Sequence, residues 1–346
     1  MFFLQITIAA FLSCYILCFV LRQPAQKLGL VDRPNIRKHH IGTVPLIGGV
    51  AIFITFLGFF LVGINQNLVL ISTVTLLVAL GIIDDMRDLP AIIKLTIQIV
   101  AALILMLAGD TKITSLGSLP NGQEFLLGIW AYPLTIIAIV GLINAINMID
   151  GLDGLAGCLT LLALLHLGLA MQLVDQPLTQ QTLIGIFILA GAISGFLVFN
   201  LGFMGERKIF LGDAGSMILG LLLAYYLITA SQREPLIDTL PTSLVPWIIA
   251  LPVIDTLSLI YRRLRDGRSP LSPDHLHLHH LLLDIGLSPR RVLLTMLGMG
   301  VLLFWTGFLI SRWNSILAGT LFIILPIIYY CIITRKLVRN AAKNKE

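Results

Sequence analysis

The chain has 346 residues, 57% of them hydrophobic and only 12% charged. Its mean hydropathy of +0.96 is far outside the range of water-soluble domains. The net charge of +5 falls in short segments between apolar runs, which argues against a nucleic-acid-binding surface. The four cysteines, Cys14, Cys18, Cys158 and Cys331, lie within or at the ends of these runs, spaced for no metal site.

Apolar runs of about twenty residues, each long enough to cross a hydrocarbon core of roughly 30 Å, recur along the chain. Eleven spans are expected, near 2–21, 45–63, 67–84, 91–108, 127–147, 155–174, 182–200, 214–231, 241–261, 291–311 and 314–334. The first lacks a basic leader and a small-residue cleavage site, and reads as a retained helix rather than a signal peptide. The fold class is therefore all-α: a polytopic membrane helical bundle of about eleven transmembrane helices, forming a single domain over 1–346. If the loops are numbered alternately, one set, together with the tail, holds 20 of the 23 lysines and arginines, and the other set holds only Lys112, Arg233 and Arg312. The positive-inside rule then puts the N-terminus outside and the C-terminus in the cytoplasm. Inner loops are expected near 22–44, 84–91, 148–154, 201–213 and 262–290. A polar outer stretch at 109–125 could form a small hairpin. The small-residue stretch 185–195, GIFILAGAISG, could pack inside the bundle or between subunits of a homo-oligomer.

Four polar clusters stand out in chain order. Asp84 and Asp85 close the third span in GIIDDMRDLP. Asn144, Asn147, Asp150 and Asp153 step by three through INAINMIDGLDG at the end of the fifth. Asp213 opens the eighth in FLGDAGS, and the loop 262–290 carries RRLRDGRSPLSPDHLHLHH. All four fall on the inner face. Any one of them could be an acidic or basic helix end in water; together they mark a site, because the outer face has nothing comparable.

A step of three residues drifts only about 60° around a helix, so the Asn/Asp ladder points one way, from inside the membrane to its surface. Such oxygen ligands suit a hard cation such as Mg²⁺, with Mn²⁺ as a substitute, completed by substrate phosphates. Asp213 lies between Gly212 and Gly215 at a helix N-terminus, where free amides and the dipole favour anions. Asp274, His275, His277, His279 and His280 could bind zinc, but no cysteine is near. A phosphate-gripping loop of these histidines with Arg262, Arg265 and Arg268 fits better. His166, alone in an apolar span, reads as a hydrogen-bonded packing residue, and Asp255 as the structural partner of a base or hydroxyl.

The set GIIDDMRDLP, NAINMIDGLDGLAG, FLGDAGS and PDHLHLHH, with VDRPNIRKHHIGTVPLIGG at 31–49, resembles the polyprenyl-phosphate N-acetylhexosamine-1-phosphate transferases, over about residues 31–290. The first loop and the spacing from Asp274 to His280 favour the N-acetylglucosamine branch over the muramyl-pentapeptide branch. The resemblance implies that Asp213 binds Mg²⁺ with Asn147. It places Asp153 at the uracil, with Asp150 and Asn144 in the nucleotide-sugar site. Lys94 would contact phosphate. Asp84 would take the last proton of the lipid phosphate, and Asp85 would stay near the metal. His277, His279 and His280, with Arg265, would hold pyrophosphate. The implied substrates are a UDP-N-acetylhexosamine, most simply UDP-GlcNAc, and undecaprenyl phosphate within membrane lipid. The implied place is the cytoplasmic face of a bacterial inner membrane, at the first membrane step of a cell-envelope glycan. A transporter of nucleotide sugars or lipid-linked sugars is the alternative, but transporters place polar groups near the midplane.

Overall fold

The structure is a computed structural model, and it describes residues 1–32, 43–64, 67–119, 123–175, 178–232, 240–270 and 276–331. Most of the first-loop motif, 33–42, and Asp274 and His275 of the histidine loop lie outside these residues.

The chain runs α1 (Phe2–Val20), α2 (Arg22–Leu28), β1 (Val31–Asp32), β2 (Val44–Pro45), α3 (Gly48–Leu61), α4 (Leu68–Arg87) and α5 (Ala91–Ala108). It continues through β3 (Ser115–Ser118), β4 (Glu124–Leu126), α6 (Ala131–Ile149), α7 (Leu155–Leu173), α8 (Gln180–Asn200) and α9 (Gly212–Ser231). It ends with α10 (Val245–Ile248), α11 (Ala250–Arg265), α12 (Leu278–Asp284), α13 (Pro289–Trp313) and α14 (Ser315–Tyr329). Hydrocarbon offers no partner to a bare peptide group, so apolar sequence of this length closes its hydrogen bonds within helices. Among the described residues eight helices are long and apolar enough to cross a membrane, and α3 and α14 are shorter apolar helices.

The ninth expected span differs. It breaks at Ile249 into α10 and α11. Pro252 has no N–H to return to Ile248, which disfavours one helix running through this point. The polar stretch expected to form a hairpin does so, with β3 antiparallel to β4. Gln232 secures it: its Oε1 accepts from the amides of Thr114 and Ser115 at 2.8 and 3.0 Å.

The chain divides into two compact units, each assembled from separated segments. The first comprises residues 1–111, 135–164 and 177–226, and the second residues 112–134, 165–176 and 227–346. In the first, the glycine stripe of α8 is used inside the unit. A Cβ on Gly191 or Gly195 would fall 2.4 or 2.6 Å from the carbonyl oxygens of Thr7 and Phe11 on α1. The starts of α3 and α9 approach as closely, since a Cβ on Gly49 would sit 2.1 Å from the amide nitrogen of Gly215. The amides of Gly48 and Gly49 donate to the carbonyls of Phe210 and Leu211 at 2.9 and 2.8 Å. In the second unit, His166 stacks on Phe304 with ring centroids 4.1 Å apart; it packs as expected, but its buried Nδ1 has no hydrogen-bond partner, so the expected hydrogen bond is absent there.

Candidate active site

Within the first unit, the end of α4, the start of α5, the end of α6 and the start of α9 supply one polar group. Asp213, in the first turn of α9, is its centre. Asn147 Nδ2 donates to Asp213 Oδ1 at 2.9 Å and to Ser216 Oγ at 2.8 Å. One amide thus fixes the Asp213 carboxyl and ties α6 to α9. That Asn147 stands opposite Asp213 follows from another glycine: a Cβ on Gly220 of α9 would fall 2.6 Å from Ile143 Cα of α6.

The two aspartates ending α4 divide their work. Asp85 faces α9, where its Oδ1 accepts from the Asp213 amide at 2.9 Å and its Oδ2 from that of Ala214 at 3.5 Å. It therefore caps a helix far away in sequence, satisfying orphan amides and placing an anion at the positive end of the dipole. Gly212, with φ of +74°, makes the turn and leaves the room, since a Cβ there would lie 2.6 Å from Asp85 Oδ2.

Asp84 faces the other way. Its side chain is 1% exposed, and its Oδ2 lies 2.9 Å from Lys94 Nζ. Its Oδ1 accepts from the Leu89 amide at 2.8 Å. Lys94, on the first turns of α5, is 26% exposed and keeps a route to a ligand. The base role expected of Asp84 therefore competes with two contacts that already use its oxygens.

The rest of the ladder separates by depth. Asn144 lies deepest, where its Nδ2 donates to Gln98 Oε1 at 2.7 Å and to the Val140 carbonyl at 2.8 Å. Gln98 is 1% exposed, so these bonds tie α6 to α5 inside the unit. Asp150 follows the end of α6. Burial, and then the charges of Asp213, Asp85 and Asp153, push its carboxyl well above the usual range. Asp153 is the most open member, 42% exposed, and its Oδ2 meets Lys208 Nζ at 2.5 Å. Lys208 also stands over the Phe210 ring, 5.1 Å from its centroid.

Two residues here escape sequence reasoning. Lys208 counts there only as a loop charge. Asn200, 6% exposed at the end of α8, accepts from the Gly154 amide at 2.6 Å and donates to the Ile209 carbonyl at 2.9 Å. It bridges the loop bearing Asp153 to the strand-like segment bearing Lys208. An asparagine ending an apolar span is a costly placement, and that was the signal available.

The histidines belong to the second unit. His277 Nδ1 is 2.9 Å from Asp255 Oδ2, and Asp255 Oδ1 accepts from the Leu278 amide at 3.0 Å. The expected structural partner of Asp255 is thus His277. The rings of His277 and His279 lie 5.7 Å apart, and those of His279 and His280 4.1 Å. His279 is fully buried with neither ring nitrogen hydrogen-bonded. Burial, then the charges of His280 and His277, lower it to about 2, so it is neutral at ordinary pH. Arg265 lies against Tyr330, with Nη1 3.4 Å from the phenol oxygen. Among the described residues no three histidine, cysteine, aspartate or glutamate side chains form a metal-ligating group.

The arrangement in the first unit suits a polyanion. Asp85 meets the amide of Asp213, and the one ammonium, that of Lys94, pairs with Asp84, so carboxylates outnumber it in this cluster. A divalent cation relieves the same excess of negative charge, and Asp213 with the Asn147 carbonyl oxygen supplies the one or two hard oxygens that Mg²⁺ takes from a protein. The residues present fit that ion.

Residues 67–231, which carry every group of this first cluster, match the family described as glycosyl transferase family 4. The whole chain is similar to curated bacterial proteins named undecaprenyl-phosphate alpha-N-acetylglucosaminyl 1-phosphate transferase. It is 36% identical to that of Escherichia coli strain K12, over 94% of this chain and 89% of the relative. For the proteins of Pasteurella multocida strain Pm70 and Yersinia pestis, identity is 38% and 34%, over 95% and 97% of this chain and 92% and 96% of the relatives.

Proposed function

The chain belongs to glycosyl transferase family 4, and from that membership we propose that it transfers N-acetylglucosamine 1-phosphate from UDP-GlcNAc to undecaprenyl phosphate, releasing UMP. The long apolar helices and bacterial relatives make it a bacterial membrane protein; we place it in the inner membrane with the site on the cytoplasmic face. The observation that carries the reading is the convergence of Asp84, Asp85, Lys94, Asn147 and Asp213 from four helices on one spot.

In the proposed reaction an oxygen of the lipid phosphate attacks the sugar-side phosphorus of the donor. The bond from that phosphorus to the bridging oxygen breaks, and the electron pair leaves with UMP. One phosphoanhydride is lost and one is formed, so the exchange is near-balanced and runs forward as products are removed. Two polyanions must meet in line, and the protein's task is to position them and neutralise their charge.

Lys94 meets a phosphate oxygen, held in place by Asp84. Asp85 keeps the first turn of α9 in register, so Asp213 and Asn147 present their oxygens together. A divalent cation held by Asp213 and Asn147 would offset charge developing on the leaving phosphate. Asp153 accepts the imide N–H of uracil once Lys208 swings from it toward the donor's phosphates. A lipid phosphate loses its last proton near pH 6, so near neutrality little proton transfer is needed. Anchoring Lys94 is therefore the larger contribution of Asp84. Of the second unit's histidines, His277 is the one assigned to a substrate phosphate, since His279 is fully buried.

The test is UMP release by purified protein in detergent, with Mg²⁺, undecaprenyl phosphate and a panel of UDP-sugars. Release with UDP-GlcNAc, absent when lipid phosphate or Mg²⁺ is left out, is the expected result. A transporter would leave the donor's pyrophosphate whole.

A further inference from the structure

The second unit contains a carboxylate that this reaction does not yet use. Asp255, on α11, is 2% exposed, and His277, just before α12, is 5% exposed. We propose that Asp255 is a positioning residue for the transfer: it fixes the His277 ring so that Nε2 is presented to an anionic phosphate oxygen of the substrate. The inference rests on the transfer reading above and adds a residue to it.

The geometry leaves His277 little freedom. Asp255 Oδ1 is held by the Leu278 amide at 3.0 Å, and Oδ2 faces His277 Nδ1 at 2.9 Å. An ionised carboxylate only accepts, so Nδ1 carries a hydrogen. With one oxygen pinned to the backbone beside the ring, the other fixes the ring plane as well as the tautomer. Among the described residues Nε2 has no hydrogen-bond partner, which makes it the ring atom available to a ligand.

A phosphate oxygen also only accepts. Nε2 must then donate, and the ring carries both protons, between the Asp255 carboxylate and the substrate. A buried carboxylate is costly to desolvate, and a neutral amide would serve a purely structural link between α11 and α12. What the anion adds is a preference for Nδ1–H and compensation of the charged ring when Nε2 is also protonated. His279 cannot supply that charge, being buried, unpaired and neutral. Carboxylate–imidazole pairing of this kind orients histidines in other sites, where losing the partner costs about 10- to 100-fold.

The experiment compares kcat/KM for UDP-GlcNAc in the wild type, Asp255→Asn, His277→Gln and the double variant, using only protein that remains monodisperse and unfolds cooperatively. Asp255→Asn keeps the size but turns a donor toward Nδ1, so kcat/KM should fall by about 10-fold or more. The double variant should be no worse than His277→Gln alone, because Asp255 acts through that ring. An Asp255→Asn variant with wild-type kcat/KM, or two losses that multiply in the double variant, overturns the proposal. If Asp255→Asn does not fold, ¹⁵N spectra of histidine-labelled wild type, with His277 assigned by its loss in His277→Gln, decide the matter. A proton on Nδ1 is expected, and a neutral ring with bare Nδ1 refutes it. A wild type that releases no UMP refutes the transfer itself, while the spectrum still reports on the Asp255–His277 pair.

Discussion

Replacing Gly81 by alanine should uncouple activity from folding, because Gly81 sets where the first turn of α9 rests. A Cβ at Gly81 would fall 2.2 Å from Ala214 Cα and 2.3 Å from its amide nitrogen. Carbon atoms rest about 3.5–4.0 Å apart, so something must give by roughly 1.5 Å. Both close atoms are backbone, so no side-chain rotation relieves the clash. Ala214 follows Asp213, and both amides are held by Asp85. The displacement therefore reaches the Asp213 carboxylate and its bond to Asn147. A misplacement of about 1 Å at a reacting centre costs on the order of 100-fold in rate, and overpacking costs about 1–3 kcal/mol of stability. The control is Gly141→Ala on α6, where an added Cβ meets no heavy atom within 4 Å. UMP release and thermal unfolding of both variants in detergent are the assays. Gly81→Ala should stay folded and lose turnover, and Gly141→Ala should lose neither. Wild-type turnover in Gly81→Ala would refute the claim that close packing of α4 and α9 places Asp213.

Other outcomes follow from single contacts. Asp213→Asn keeps the size of the side chain but removes the central charge, so turnover should fall by orders of magnitude while the protein still folds; near-normal activity at limiting Mg²⁺ would exclude Asp213 as a metal ligand. Asp153→Ala removes the partner of Lys208 and the proposed uracil acceptor. It should raise KM for the UDP-sugar far more than for lipid phosphate, and equal losses would point to a role in folding. His279, lowered to about 2 in the folded state from about 6.5 unfolded, contributes stability that is complete above pH 6.5 and lost as pH falls from there toward 2. Thermal midpoints should therefore decline below pH 6.5 in the wild type and decline less in His279→Phe; parallel curves would place the ring in water. Metal analysis of purified protein should find no stoichiometric zinc, since among the described residues no three histidine, cysteine, aspartate or glutamate side chains are grouped to hold it.

The sequence was most legible where one physical rule acts alone. Hydropathy locates the long apolar helices within a few residues, because hydrocarbon forces long apolar segments into helices. The break at Ile249 was less legible, since proline is tolerated in the first turn of a helix and disrupts its interior, and sequence alone does not say which place Pro252 takes. The aspartates and Asn147 were visible because ionisable groups in apolar sequence are costly. Their division of labour was not visible. Adjacent residues Asp84 and Asp85 point to different partners, Lys94 and the α9 amides, and only packing decides which. Asn144 shares a helix face with Asn147 yet pairs with Gln98, because depth along α6 separates them. The contacts of Asn200, Lys208 and Asp255 join residues distant in sequence. No local spacing encodes such pairs, and in the apolar run ending in Asn200 only that residue's polarity gave a hint.

The measurement that bears most directly on the proposed reaction follows the two donor phosphates separately. UDP-GlcNAc labelled with ³²P on the sugar-side phosphate, or on the uridine-side phosphate, is incubated with the protein, Mg²⁺ and undecaprenyl phosphate, and the lipid is extracted. The sugar-side label should move into the lipid as a pyrophosphate-linked sugar, while the uridine-side label stays in water as UMP. Sugar in the lipid without either label would mean transfer of the hexose alone with release of UDP, and no label in the lipid would mean no transfer; either result contradicts a sugar-1-phosphate transferase.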